Sequence, residues 1–168
     1  MNASDAMASI LKTEGTEHLI CYPRQMLIES CSKLGIRPIV CRQERVGVGI
    51  ADGISRSTSG RKIGVFAMQG AAGIENTFPG VAQVYGDNVP VLLLPGGPLG
   101  RSYTQPHFRA LDNFSRITKW QADMDRPDAV SERMRRAYSN LRTGKPGPVM
   151  IEVPDHVATA DIGGELDY

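Results

Sequence analysis

Glu44 is the residue best placed for acid–base chemistry. It follows a short apolar run, Pro38-Ile39-Val40-Cys41, and opens a glycine-rich segment, 44–57, that reads as a helix. In open α/β sheets ligands bind at the carboxyl ends of the strands, so a carboxylate between strand and helix is well sited. An acidic residue that only complements the helix dipole would stand in the same place. Glu44 by itself leaves both readings open. Downstream, Gly70-Ala71-Ala72-Gly73-Ile74-Glu75-Asn76 follows an apolar run and opens another helical stretch. Amides at such a turn can bind an anion. No Lys-Ser or Lys-Thr follows, and the glycine spacing is not the dinucleotide fingerprint. A tight strand-to-helix connection explains the turn equally well. His107, in a polar and aromatic loop, is a further acid–base candidate beside the alternative of a solvated loop histidine.

These residues need a scaffold, and the rest of the pattern supplies one. Ser4 is expected to cap a first helix ending near Gly15, with Ala6, Ile10 and Leu11 on one face. Residues 18–21 form a short buried strand, broken by Tyr22-Pro23. A helix over 25–33 follows, with Gly35 as its C-cap. Strands are expected at 38–41, 63–68, 89–94, 117–120 and 149–153. Helices are expected over 44–57, from the Gly70 turn to Tyr85, and over 127–141, the last with Asp125 as its cap. Residues 100–115 read as loop. Nearly all-apolar strands alternating with helices imply a parallel sheet covered on both faces. Right-handed crossovers make it an open, doubly wound α/β sheet. Pro23, Glu44, the Gln69-Gly70 turn and the Gly96-Gly97 loop then converge on one edge.

Three glycines, Gly47, Gly49 and Gly53, interrupt the helix at 44–57. Each costs roughly 0.5–1 kcal/mol relative to alanine. Gly49 and Gly53 share a side, which permits a close approach either of the chain's own sheet or of another subunit.

The 168 residues suffice for one domain with a real core. A formal charge of +1 offers no electrostatic argument for nucleic acid or an acidic membrane surface, and neither is an expected partner. No apolar run approaches the ~20 residues that span a bilayer, and the first residues lack the pattern of a signal peptide. Cys21, Cys31 and Cys41 form no CxxC pair and read as buried apolar residues in a reducing, cytoplasmic compartment.

Taken in order, these segments resemble the pyrimidine-binding domain of thiamine-diphosphate-dependent enzymes, in the group of acetolactate synthase, pyruvate oxidase and benzoylformate decarboxylase. The resemblance runs from Glu44 and its small-residue helix to Arg56-Ser57-Thr58-Ser59-Gly60. It continues through the turn from Gln69 to Asn76, then Asp87-Asn88-Val89-Pro90 and Thr118-Lys119-Trp120. It closes on Gly144-Lys145-Pro146-Gly147-Pro148-Val149, which looks very like the family's Gly-Arg-Pro-Gly-Pro-Val block. It implies that the Glu44 carboxyl hydrogen-bonds a ring nitrogen of the cofactor's aminopyrimidine. That favours the imino tautomer, which deprotonates the neighbouring thiazolium carbon. The activated carbon attacks a 2-oxo acid and carbon dioxide leaves. Pro23, Gln69, Gly70, Gly73 and Asn76 match positions that border the pyrimidine in the family. Burial would raise the Glu44 pKa and the helix N-terminus would lower it.

The chain also departs from the family pattern. Ala71-Ala72-Gly73 replaces Gly-Pro-Gly, so that turn must bend differently. Arg24 stands where glycine often follows the proline. Gln105-Pro106-His107-Phe108 occupies the region of a common Phe-Gln-Glu segment. The resemblance implies that diphosphate and Mg2+ are held by a second domain with a Gly-Asp-Gly motif; Gly86-Asp87-Asn88 is not that motif, and no metal ligand is expected here. Residues 1–157 would be the pyrimidine-binding domain, and 158–168 the start of a linker or tail. The expected partners are a diphosphate-binding domain or subunit and a second copy of the chain docked through helix 44–57. Two alternatives stand beside decarboxylation or carboligation in an acetolactate-synthase-like enzyme. One is the small subunit of a two-chain decarboxylase such as sulfopyruvate decarboxylase. The other is a non-catalytic assembly or regulatory module with the same fold.

Overall fold

A computed structural model describes residues 1–23, 26–97 and 108–168. Arg24, Gln105 and His107 lie outside the described residues. Six strands form one sheet, β1 (His18–Cys21), β2 (Arg37–Val40), β3 (Gly64–Met68), β4 (Val91–Pro95), β5 (Trp120–Asp123) and β6 (Val149–Glu152). Their spatial order is β2-β1-β3-β4-β6-β5, and every pairing is parallel. The expected doubly wound α/β fold is therefore the observed one.

Strand side chains divide between the faces with period two. Leu19, Cys21, Val65, Ala67, Leu92, Leu94, Val149 and Ile151 pack on one side, beneath α1 (Ala3–Thr13), α2 (Leu27–Lys33) and α6 (Val130–Arg142). Ile20, Phe66, Met68, Val91, Leu93 and Met150 pack on the other. There they meet α3 (Glu44–Ser57), α4 (Ala72–Gly86) and the short α5 (Ala110–Phe114). Crossovers that run towards β2 use the first face, and those that run towards β5 use the second. A single handedness requires that division.

Several local expectations change. Asn2, not Ser4, caps α1, because the Asn2 Oδ1 accepts the Asp5 N–H at 2.8 Å while Ser4 is buried inside the first turn. The strand expected at 117–120 begins only at Trp120. Ile117 N–H and the Thr118 hydroxyl both bond back to the Phe114 carbonyl, which keeps 117–118 in the turn after α5. That helix itself occupies part of the region read as loop. Asp125 caps nothing; it pairs with Arg133 at 3.4 Å, and Arg126 precedes a 3-10 turn (Pro127–Ala129) that leads into α6. Past β6, α7 (Asp155–Ala158) and the segment after it fold back on α1. Ala3 N–H bonds the Ala160 carbonyl, and Ile162 N–H bonds that of Met1.

The glycines of α3 do different work. A Cβ on Gly47 would lie 2.5 Å from the Phe66 ring, so this glycine seats the helix on β3. A Cβ at Gly49 or Gly53 would have nothing within 4 Å among the described residues. Packing on the chain's own sheet therefore does not account for those two.

Candidate functional site

The chain reverses direction across the sheet between β1 and β3, the switch point where open α/β sheets bind ligands. Glu44 opens α3 just after β2, preceded by an extended Gln43. The buried stripe of this helix is Glu44, Gly47, Val48, Ala51 and Ser55. Its three- and four-residue spacing carries the carboxylate inward along with the apolar groups. Glu44 is only 4% exposed.

Its Oε2 accepts a hydrogen bond from Asn76 Nδ2 at 3.2 Å. Its Oε1 lies against Gly73, where a Cβ would stand 2.9 Å from that oxygen and 2.8 Å from the Gln69 Cβ. A Cβ on Gly70 would be 2.9 Å from the Gly96 carbonyl oxygen, so the turns after β3 and β4 touch. Gly96 N–H bonds the Met68 carbonyl at 2.9 Å, and Gly97 N–H bonds that of Val153 at 2.9 Å. The fold thus brings Glu44, Gln69, Gly73 and Asn76 together, with Gly70 beside them. Pro23 is exposed just past β1, and no described contact joins it to Glu44.

The turn before α4 does bend unusually. Ala71 adopts φ 53° and ψ −116°, a region that L residues rarely occupy. Such strain costs on the order of 1–3 kcal/mol and clusters at functional sites.

A second polar cluster lies on the same sheet edge and was not singled out from sequence. Glu152 is 2% exposed, and both its Oε1 and the Asp123 Oδ1 are buried with no hydrogen-bond partner among the described residues. Burial foremost, then the nearby Asp123, pushes the Glu152 carboxyl up to about 7; the Ala110 N–H bond opposes this. Asp123 is raised as well, chiefly by burial and then by Asp125. The sequence signal was present: a carboxylate ends an otherwise apolar buried strand. Burial also pushes the thiols of Cys31 and Cys21 up, to about 12 and about 11, which makes them inert small apolar groups.

The donor set suits an aminopyrimidine. A buried carboxyl group is held at one oxygen by an amide donor, its second oxygen has no hydrogen-bond partner among the described residues, and side-chain-free positions leave room beside it. Residues 1–116 match the family described as thiamine pyrophosphate enzyme, N-terminal TPP binding domain. The chain belongs to that family, whose proteins bind thiamine diphosphate. It is 26% identical to the acetolactate synthase large subunit of Haemophilus influenzae, over 100% of this chain and 30% of the relative. It is 29% identical to the acetolactate synthase large subunit of Lactococcus lactis, over 96% of this chain and 29% of the relative. It is 30% identical to 2-hydroxyacyl-CoA lyase 2 of Bos taurus, over 91% of this chain and 25% of the relative. The chain thus spans under a third of the length of these relatives. Among the described residues no helix is long and apolar enough to cross a membrane.

Proposed function

We propose that this chain is the aminopyrimidine-binding half of a thiamine-diphosphate-dependent enzyme acting on 2-oxo acids, by decarboxylation or carboligation in the manner of acetolactate synthase. The observation that carries this is the buried Glu44 carboxylate, held by Asn76 at the switch point of the sheet. The cofactor supplies a carbon nucleophile and an electron sink. Glu44 would donate or share a proton with the aminopyrimidine ring nitrogen through its Oε1. Gln69, Gly70 and Gly73 would border the ring, and Pro23 would close its edge. Diphosphate and Mg2+ would be held by a second domain or chain. The limited share of the relatives that this chain covers supports such a partner.

A second copy of the chain would dock on the outer face of α3 and α4. Gly49 and Gly53 face open space there, and Val46, Phe78 and Tyr85 are exposed. The free, buried cysteines support a reducing, cytoplasmic setting.

The test is Glu44→Gln in the assembly that supplies the remaining half-site, assayed for carbon dioxide release from a panel of 2-oxo acids. Loss of about 10²-fold or more in kcat is expected of a general acid–base group. An assembly that turns over unchanged would leave a non-catalytic module as the reading.

A further inference from the structure

We infer that Asn76 acts on the reaction through Glu44 and not as a cofactor ligand: it holds Oε2, so that Oε1, beside Gly73, is the oxygen that meets the aminopyrimidine. This rests on the catalytic reading of Glu44.

The geometry makes the two carboxylate oxygens unequal. Asn76 presents its amide nitrogen, and not its oxygen, to Oε2. That nitrogen reaches across from α4 to the head of α3, 32 residues away in sequence. The helices are close enough for the reach because Gly80 has no side chain. A Cβ there would lie 3.2 Å from Val48 Cβ. Gly73 and Asn76 stand three apart on α4, on the same face. One turn of this helix therefore handles both oxygens. It offers a donor to Oε2 and an absence of atoms beside Oε1.

A glutamate side chain has three torsions and loses considerable rotamer freedom when ordered. With Oε2 fixed, the carboxylate plane is set before any ligand arrives, as acid–base catalysis requires. Gly73 is then a positioning residue too, since a Cβ would contest the place of Oε1.

The decisive experiment is a cycle of Glu44→Gln, Asn76→Ala and the double variant, made in the assembly with its partner half-site. The readouts are kcat, KM and the calorimetric dissociation constant for thiamine diphosphate. Asn76→Ala should lower kcat about tenfold to hundredfold, the worth of a hydrogen bond to a charged group. It should leave cofactor affinity nearly unchanged. The double variant should be no slower than Glu44→Gln alone, because a residue that acts through another adds nothing once that other is gone. Asn76→Leu, of similar size but without any donor, should match Asn76→Ala. In the full chain alone, the side-chain amide signals of Asn76 in 1H–15N spectra should move on Glu44→Ala.

Additive losses in the cycle would overturn the inference. So would weakened cofactor binding with kcat restored at saturation, wild-type kcat in Asn76→Leu, or unmoved amide signals. Unchanged turnover in Glu44→Gln would instead bring down the catalytic reading, and the inference with it.

Discussion

Glu152 and Asp123 face one another in register across the adjacent parallel strands β6 and β5, each with a buried carboxylate oxygen that no described group bonds. Burial disfavours the charged form of each; Asp123 adds to the rise at Glu152, and Asp125 to the rise at Asp123. Ala110 N–H and Arg109 offset part of that effect at Glu152, while Asp112 adds to it.

A stability–pH relation follows. Glu152 is raised from 4.5 to about 7 on folding, so between those values the folded chain holds a proton that the unfolded chain releases. Its contribution is fully present below pH 4.5 and is lost as pH rises through about 7. The unfolding free energy of the wild type, from denaturant titrations, should therefore fall from pH 5 to pH 8 more steeply than that of Glu152→Gln, by at most about 1.4 kcal/mol per pH unit. Parallel curves for the two proteins would show that Glu152 does not titrate in that window.

Ser55 joins three elements. Its hydroxyl donates to the Pro90 carbonyl at 2.6 Å and accepts the Gly64 N–H at 2.8 Å, with the side chain fully buried. Ser55→Ala strands both backbone groups and should destabilise the chain by about 1–3 kcal/mol per unsatisfied group at most. Urea unfolding measures it, and a change under 0.5 kcal/mol would mean the backbone finds other partners.

Ala71 holds φ 53° and ψ −116° at the start of α4. Glycine takes that conformation without a Cβ penalty. Ala71→Gly should then raise thermal stability despite the added freedom of the unfolded chain, by about 1 kcal/mol. A fall in Tm would show that the turn carries no strain.

Gly49→Ala and Gly53→Ala should have opposite effects on fold and on assembly. Among the described residues nothing lies within 4 Å of a Cβ at either position, so each alanine should stabilise the isolated chain by about 0.5–1 kcal/mol through helix propensity. If α3 docks on a second copy, the same methyl groups should weaken self-association in sedimentation velocity. Unaltered association would move the dimer contact away from this face.

The sequence by itself determined the class of fold. Apolar runs such as Val91-Leu92-Leu93-Leu94 fit only strands buried on both faces, and the helix period between them sets the crossovers. Local chemistry also placed Glu44 at the head of α3 and Gly35, at φ 74°, past the end of α2. Errors fell where short elements depend on distant partners. Strand β5 starts at Trp120 because its ladder runs from Trp120↔Val149 to Asp123↔Glu152, and a four-residue strand has too little pattern of its own to reveal that register.

The relations between distant residues were decided only by the tertiary structure. That Asn76 bonds Glu44, that Gly73 spares Oε1, and that Gly47 packs inward while Gly49 and Gly53 look outward all follow from how α3 meets α4 and β3. Glycine spacing on one helix cannot tell those cases apart, since the deciding atom belongs to another element. The same holds for Glu152. Its neighbours in sequence are apolar, and the carboxylate that raises its pKa stands 29 residues away on the next strand.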